Sequence, residues 1–223
     1  MIKENILQIK EIIQNLCLKA ACDGATLTMV AISKGRSIEE ILEAISAGIT
    51  DIGENRVQEA VTKYNRIRNT PDARRIKWHM VGHLQGNKIK DAVRIFDLIQ
   101  SVDSVSLAAG IDKEAARINK VQDILLEVKV SGEDTKFGFK PGQAVQAIRE
   151  ISRLCNVKIR GLMTIAPAVN NPEDARPYFR QLKELSNNII DNPILSMGMS
   201  DDFGIAIEEG SNMVRLGRAI FEG

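Results

Sequence analysis

Residues 26–54 read TLTMVAISKGRSIEEILEAISAGITDIGE, and the order of residue types in this stretch decides the fold. An apolar run, TLTMVAIS, gives way at Lys34 to a glycine and polar turn. SIEEILEAISAG follows with apolar residues at helical spacing, and TDIGE opens a second short apolar run. Strand, helix and strand in close succession make a parallel unit, because parallel neighbours need a crossover that no tight turn supplies.

The same rhythm continues to the end of the chain. Further strand candidates are IKWHMVG (76–82), FDLIQSV (96–102), ILLEVKVS (124–131), KIRGLMTI (158–165), ILSMGMS (194–200) and NMVRLG (212–217), which with the first two make eight. Helical stretches stand between most of them: RVQEAVTKYNRI, SVSLAAGIDKEAARIN, PGQAVQAIREISRL and PEDARPYFRQLKELSNNI. Between the seventh and eighth, DDFGIAIEEGS leaves room for about two helical turns. The pattern predicts an α/β fold, a TIM (β/α)8 barrel that forms a single domain over residues 1–223. Ile2, Ile6, Ile9, Ile13 and Leu16 recur at helical spacing and predict an N-terminal helix ahead of the barrel. A doubly wound open sheet uses the same alternation and is the structural competitor. No G-x-G-x-x-G follows the first strand and no G-x-x-x-x-G-K-[ST] occurs, so dinucleotide and Walker-type sites have no motif support.

Composition narrows the class of partner. Thirty basic residues nearly balance 29 acidic ones, which gives no electrostatic case for nucleic acid. No apolar run approaches the roughly 20 residues a membrane span needs. The start, MIKENILQIKEIIQ, carries Glu4 and alternates charged with apolar residues, unlike a signal peptide, so a cytoplasmic location is expected. Cys17, Cys22 and Cys155 contain no C-x-x-C pair and read as core or surface thiols rather than metal ligands.

A barrel gathers the ends of distant strands around one mouth. Lys34, Asn55, His79, Lys136, Met163, Ser200 and Arg215 all fall at or near such ends. Lys34 is either an amine whose partial burial frees it for carbonyl addition or a solvent-facing lysine at a strand exit. LSMGMSDDFGIAIEEG (195–210) and VRLGRAIFEG (214–223) set small residues before potential helix starts, where Ser200 either joins a phosphate cradle or caps the next helix. Arg215 interrupts an apolar run. Its guanidinium either bonds a ring nitrogen in the mouth or makes an internal salt bridge. Arg218 either neutralises a phosphate or faces solvent. Asn55 either bonds a ring oxygen or caps a helix, and Lys136 is a second amine, a phosphate contact or a charge on a mobile loop. His79 and His83 are the only histidines and have no metal-site pattern around them. His79 lines the mouth or sits hydrogen-bonded beneath it, and Trp78 is expected to pack outward. PAVNNP (167–172) reads as a loop at the same mouth.

Taken together, AISKGRS, DIGENRVQEA, KWHMVGHLQGNKIK, SVDS, SGEDTKFGF, RGLMTIAP, LSMGMSDDFGIAI and VRLGRAIF resemble the YggS/PROSC family of pyridoxal 5'-phosphate homeostasis proteins over essentially the whole chain. The resemblance implies an alanine racemase N-terminal domain-like barrel of the fold-type III pyridoxal-phosphate class, with Lys34 as the Schiff-base lysine. It places Asn55 beside the ring, Ser200 with the backbone around Gly217 and Arg218 at the phosphate, and Arg215 at the pyridine nitrogen; His79 and Met163 complete the expected set of mouth residues. Two positions depart from the family pattern. Gly35-Arg36-Ser37 stands where Thr-x-Pro is common, and Arg218 stands where a small hydroxyl residue is frequent.

The implied function is non-catalytic. Racemases of this class take a tyrosine from an additional domain of a dimer partner; here the sequence ends at Gly223, just past the eighth strand, and its two tyrosines, Tyr64 and Tyr178, fall in helices. An arginine on the pyridine nitrogen also weakens the ring as an electron sink, because it withholds the proton that would stabilise a carbanion. The expectation is a protein of vitamin B6 homeostasis that hands its cofactor transiently to apoenzymes, influences amino- and keto-acid balance and is complete as a monomer. A racemase or related pyridoxal-phosphate enzyme is the alternative, followed by a phosphate-binding barrel enzyme without that cofactor.

Overall fold

The computed structural model describes residues 1–19, 27–131, 137–187 and 189–223. Cys22 and Lys136 lie outside the described residues. Eight strands close a barrel in chain order: β1 (Thr28–Ile32), β2 (Asp51–Glu54), β3 (Lys77–Met80), β4 (Leu98–Val102), β5 (Gln122–Glu127), β6 (Val157–Met163), β7 (Ile194–Ser196) and β8 (Met213–Leu216). Every neighbouring pair is parallel. The ring closes where Val30 of β1 registers with Arg215 of β8. The barrel is thus the architecture formed, and the open sheet is excluded by that closure.

Alternation along each strand divides the residues between two cores. Val30, Leu98, Leu125, Met163 and Met213 point inward and form the apolar filling of the barrel. Ala31, Ile52, Met80, Ile99, Ile124, Leu126, Leu162 and Val214 point outward into the larger core under the helices. Those helices are α2 (Ile38–Ser46), α3 (Val57–Ile67), α4 (Ile89–Ile95), α5 (Val105–Ala116), α6 (Pro141–Ile151), α7 (Arg176–Asn187), α8 (Phe203–Glu208) and α9 (Arg218–Phe221). Helix α1 (Ile2–Lys19) buries Ile2, Ile6, Ile9, Ile13 and Cys17 and packs against α2, α8 and α9. Each buried isoleucine contributes roughly 1.5–3 kcal/mol relative to exposure, so this stripe anchors the helix. Asn5 adds a side-chain bond to the carbonyl of Ile220 at 3.0 Å. Trp78 faces outward as expected and meets Tyr64 edge-on, ring centres 5.8 Å apart.

Two strand boundaries and one helix depart most from the sequence expectation. Strand β5 begins earlier and stops at Glu127, because Val128 makes only an isolated bridge to Phe139. Strand β7 ends at Ser196, which leaves Met197 to Ser200 as loop. Helix α4, seven residues entered through a 3-10 turn at Gly86–Lys88, was not among the helical stretches read from sequence. Among the described residues no helix is long and apolar enough to cross a membrane.

Candidate functional site

Beyond β1 the chain turns at once. The N–H of Arg36 donates to the Ser33 carbonyl at 3.0 Å, and Gly35 takes φ 71°, a left-handed conformation that side-chain-bearing residues seldom adopt. Lys34 is the residue before that glycine and is exposed, which matches the solvent-facing lysine of its two readings rather than the part-buried amine. The Gly35-Arg36-Ser37 departure has a structural role of its own. Ser37 and Glu40 form a reciprocal capping box on α2, while Arg36 pairs with Glu222 and lies over the Phe221 ring, 5.3 Å from its centre. The turn carrying Lys34 is thereby tied to the last helix.

Inside the barrel, on β8 next to β1, lies Arg215. Only 5% of it is exposed, and its guanidinium donates to the Ser196 hydroxyl at 2.6 Å and the Thr164 carbonyl at 2.7 Å. Burial lowers its pKa to about 10, against the attraction of Glu127 and Asp202, so it is still a cation at neutral pH. The salt bridge considered for it does not form among the described residues; a hydroxyl and a carbonyl are its direct partners. From Ser196 the hydrogen bonds run on to Gln100 at 2.6 Å, from Gln100 to His79 Nδ1 at 2.9 Å, and from His79 Nε2 to Asp51 at 2.9 Å. His79 is 2% exposed. It sits beneath the mouth with both ring nitrogens engaged, and Met163 is sealed in the interior cluster beside it.

Glu127 is at the upper end of β5, two residues above the inward Leu125. Burial, reinforced by Asp103 and opposed by Arg215, raises its pKa to about 7. Neither Glu127 nor Gln100 was singled out from sequence. The signal that drew attention to Arg215, a polar residue inside an apolar run, is present in FDLIQSV and ILLEVKVS as well.

The side of the mouth next to β1 is built from the loops after β7 and β8. The Ser200 hydroxyl accepts from the N–H of Ala219 at 3.2 Å, which sets it over the start of α9, while the N-cap of α8 is Asp202. Of the two roles open to Ser200, capping α8 is therefore not the one it performs. Its own O–H remains a donor, beside the first N–H groups of α9, which have no acceptor within the helix. Gly217 is the residue before that helix. Arg218 is exposed and ion-paired with Asp201, so one side chain from each loop meets across the gap. A cavity of about 600 Å³ adjoins, lined by Ile165, Pro167, Val169, Met199 and Asp202 among others, and the PAVNNP loop forms one wall of it. Asn55, partly buried, follows β2; the cap of α3 is Arg56, so Asn55 does not cap that helix. Its backbone is backed by Gly82, where an added Cβ would lie 2.4 Å from the Asn55 carbonyl oxygen.

The structure thus brings Lys34, Asn55, Ser200, Arg215, Gly217 and Arg218 to one end of the barrel and places His79 and Met163 just below.

The sequence profile of the alanine racemase N-terminal domain matches residues 2–223. A pyridoxal phosphate homeostasis protein from Aquifex aeolicus is 41% identical over 98% of this chain and 96% of its own length. The chain belongs to the YggS/PROSC family of pyridoxal phosphate homeostasis proteins. A second member, from Pasteurella multocida, is 34% identical over 99% of this chain and 96% of its own. Among solved structures, PipY of Synechococcus elongatus with pyridoxal phosphate bound superposes with a TM-score of 0.85 at 32% identity, covering 99% of this chain and all of PipY. Alanine racemase from Clostridium difficile shares the fold, with a TM-score of 0.75 at 14% identity over 98% of this chain and 56% of its own.

Proposed function

We propose that this protein binds pyridoxal 5'-phosphate as a Schiff base on Lys34 and serves intracellular pyridoxal-phosphate homeostasis without turning over a substrate. The observation that carries the reading is an exposed lysine directly after β1, at the same end of the barrel as the buried guanidinium of Arg215 on the adjoining strand. The donor set fits the cofactor. Lys34 supplies the amine for the aldehyde, Asn55 an amide for the ring oxygen, and Ser200 with the backbone at Gly217 and Arg218 the donors for a phosphate. Arg215 has five N–H groups and spends two on its protein partners, which leaves donors for a ring nitrogen.

The absence of turnover rests on the same arginine. Bound pyridoxal phosphate would supply an electron sink that is strongest with its ring nitrogen protonated, and a donor-only cation at that position opposes protonation and weakens it. Neither tyrosine is placed for proton transfer: Tyr64 on α3 packs on Trp78 outside the barrel, and Tyr178 lies on α7. Release to pyridoxal-phosphate-dependent apoenzymes, by a single barrel in the cytoplasm, is the role in homeostasis this chemistry supports.

Visible absorbance with added pyridoxal phosphate, before and after borohydride reduction, tests the proposal. A band that reduction fixes onto the Lys34 peptide and that Lys34→Ala abolishes is expected. No band in wild type refutes the cofactor assignment, and loss of an amino acid's α-proton in deuterated buffer refutes the absence of catalysis.

A further inference from the structure

Lys34 is flanked by two peptide groups, and a single pair of side chains on α3 holds both. The Ser33 carbonyl, in the peptide before Lys34, accepts from the Lys63 ammonium. The Gly35 N–H, in the peptide after it, donates to Glu59 Oε1 at 2.7 Å. Lys63 and Glu59 stand one helical turn apart and are paired with each other at 2.7 Å. The remaining donor of Lys63 goes to Glu54 Oε1 at 2.6 Å, the same oxygen that accepts the Ser33 hydroxyl at 2.5 Å. An ammonium has three N–H groups. All three are used, and every acceptor borders or braces the Lys34 turn.

Stability is a weak reason for such a cluster. Lys63 is 5% exposed and Glu54 fully buried, and taking charges out of water offsets most of what their attraction returns. Glu54 Oε2 even lacks a hydrogen-bond partner among the described residues. The geometric effect is specific. With the peptide plane on each side of Lys34 fixed, the direction of its Cα–Cβ bond is fixed too, and the side chain leaves the rim in one direction.

We propose that Lys63, through Glu59 and Glu54, is a positioning residue that aims the Lys34 amine at the barrel mouth. This rests on the reading of Lys34 as the cofactor lysine. Lys63 and Glu59 touch no cofactor themselves, since both lie on the α3 side of the turn.

Lys63→Met, Glu59→Ala and Glu59→Gln, made in the full chain, test it by two readouts. One is hydrogen–deuterium exchange at the Gly35 amide without cofactor; the other is the rate of pyridoxal-phosphate uptake together with the visible circular dichroism of the bound form. Lys63→Met and Glu59→Ala are expected to speed Gly35 exchange and slow uptake by about tenfold or more, with an altered dichroic band. Glu59→Gln, which keeps an oxygen for the Gly35 N–H, is expected to stay within about threefold of wild type. Should Lys63→Met not fold, the contrast between Glu59→Ala and Glu59→Gln decides alone, because Glu59 is a partly exposed position. A folded Glu59→Ala protein with wild-type exchange, uptake and dichroism overturns the proposal. Failure of the wild type itself to take up pyridoxal phosphate overturns the cofactor reading and this inference with it, and is recognisable because it needs no substitution.

Discussion

Arg215 donates to the Ser196 hydroxyl across 2.6 Å, reaching from β8 to the position on β7 that registers with Met213 two residues before it. That contact, with the second one to the Thr164 carbonyl, holds a cation in the barrel interior where water cannot solvate it. Arg215→Leu therefore strands the Ser196 hydroxyl, the Thr164 carbonyl and the Glu127 carboxylate without their compensating charge. Destabilisation of about 3 kcal/mol is expected by denaturant unfolding without cofactor. A loss below about 1 kcal/mol would show that the guanidinium is not held by these partners.

Lys34→Ala gives the opposite pattern. The side chain is exposed, so its removal is expected to leave stability within about 0.5 kcal/mol of wild type while abolishing cofactor uptake. Thermal unfolding of the two unliganded proteins checks the first half; a clear drop in melting temperature would mean that Lys34 is a structural residue.

Glu127 makes stability depend on pH. Its carboxyl is raised from 4.5 to about 7 by burial, Asp103 adding to the effect and Arg215 opposing it. The folded protein thus binds more protons than the unfolded chain between these values, and stability falls as pH rises from about 4.5 to about 7 before levelling off. Glu127→Gln, which cannot ionise, removes this contribution. The variant is expected to gain on wild type by up to about 3 kcal/mol between pH 5 and pH 8, as read from denaturant midpoints at both values. A stability difference that does not change with pH would sink the assignment.

Close approach of backbone requires glycine at Gly161 and Gly82 among other positions. A Cβ on Gly161 would lie 1.9 Å from the Ile194 carbonyl oxygen, across the β6–β7 ladder. Gly161→Ala is expected to cost about 3 kcal/mol or more, because the clash is with backbone that cannot rotate away. Gly82→Ala pushes on the Asn55 backbone instead, and its expected signature is weakened cofactor binding, measured by equilibrium titration, with a smaller loss of stability.

The eight strands were legible because each apolar run ends in a turn or polar break; their number favoured a closed barrel, and the β1–β8 ladder decided it against the open sheet. Boundaries were less so: ILLEVKVS looks apolar through Val130, yet the ladder stops at Glu127, and apolarity alone does not say which backbone groups find partners. Helix α4 escaped notice because seven residues after a 3-10 turn hardly establish a period. At the site, Lys34, Ser200 and Arg215 could be placed near one mouth from strand order. Lys63 could not. In VQEAVTKYNRI it looks like any lysine on an amphipathic helix, and only the packing of α3 over the ends of β1 and β2 buries it against Glu54 and Ser33. The choice between a part-buried and a solvent-facing Lys34 was open in the sequence for a related reason, since the Gly35 turn leaves it exposed at the end of β1.

The hydrogen-bonded chain through the barrel has a direction. Arginine can only donate and an ionised aspartate can only accept, so fixing the two ends fixes every proton between them. Ser196 accepts from Arg215 and must donate to Gln100 Oε1; the Gln100 amide nitrogen must donate to His79 Nδ1; and His79 must carry its proton on Nε2, toward Asp51. The polarity of the whole row is set from outside it, by a cation near the mouth and an anion at the start of β2. Turning any one member around would set two donors or two acceptors face to face, so the row is a polar lock with one setting, and the imidazole tautomer inside it is dictated by a residue three links away.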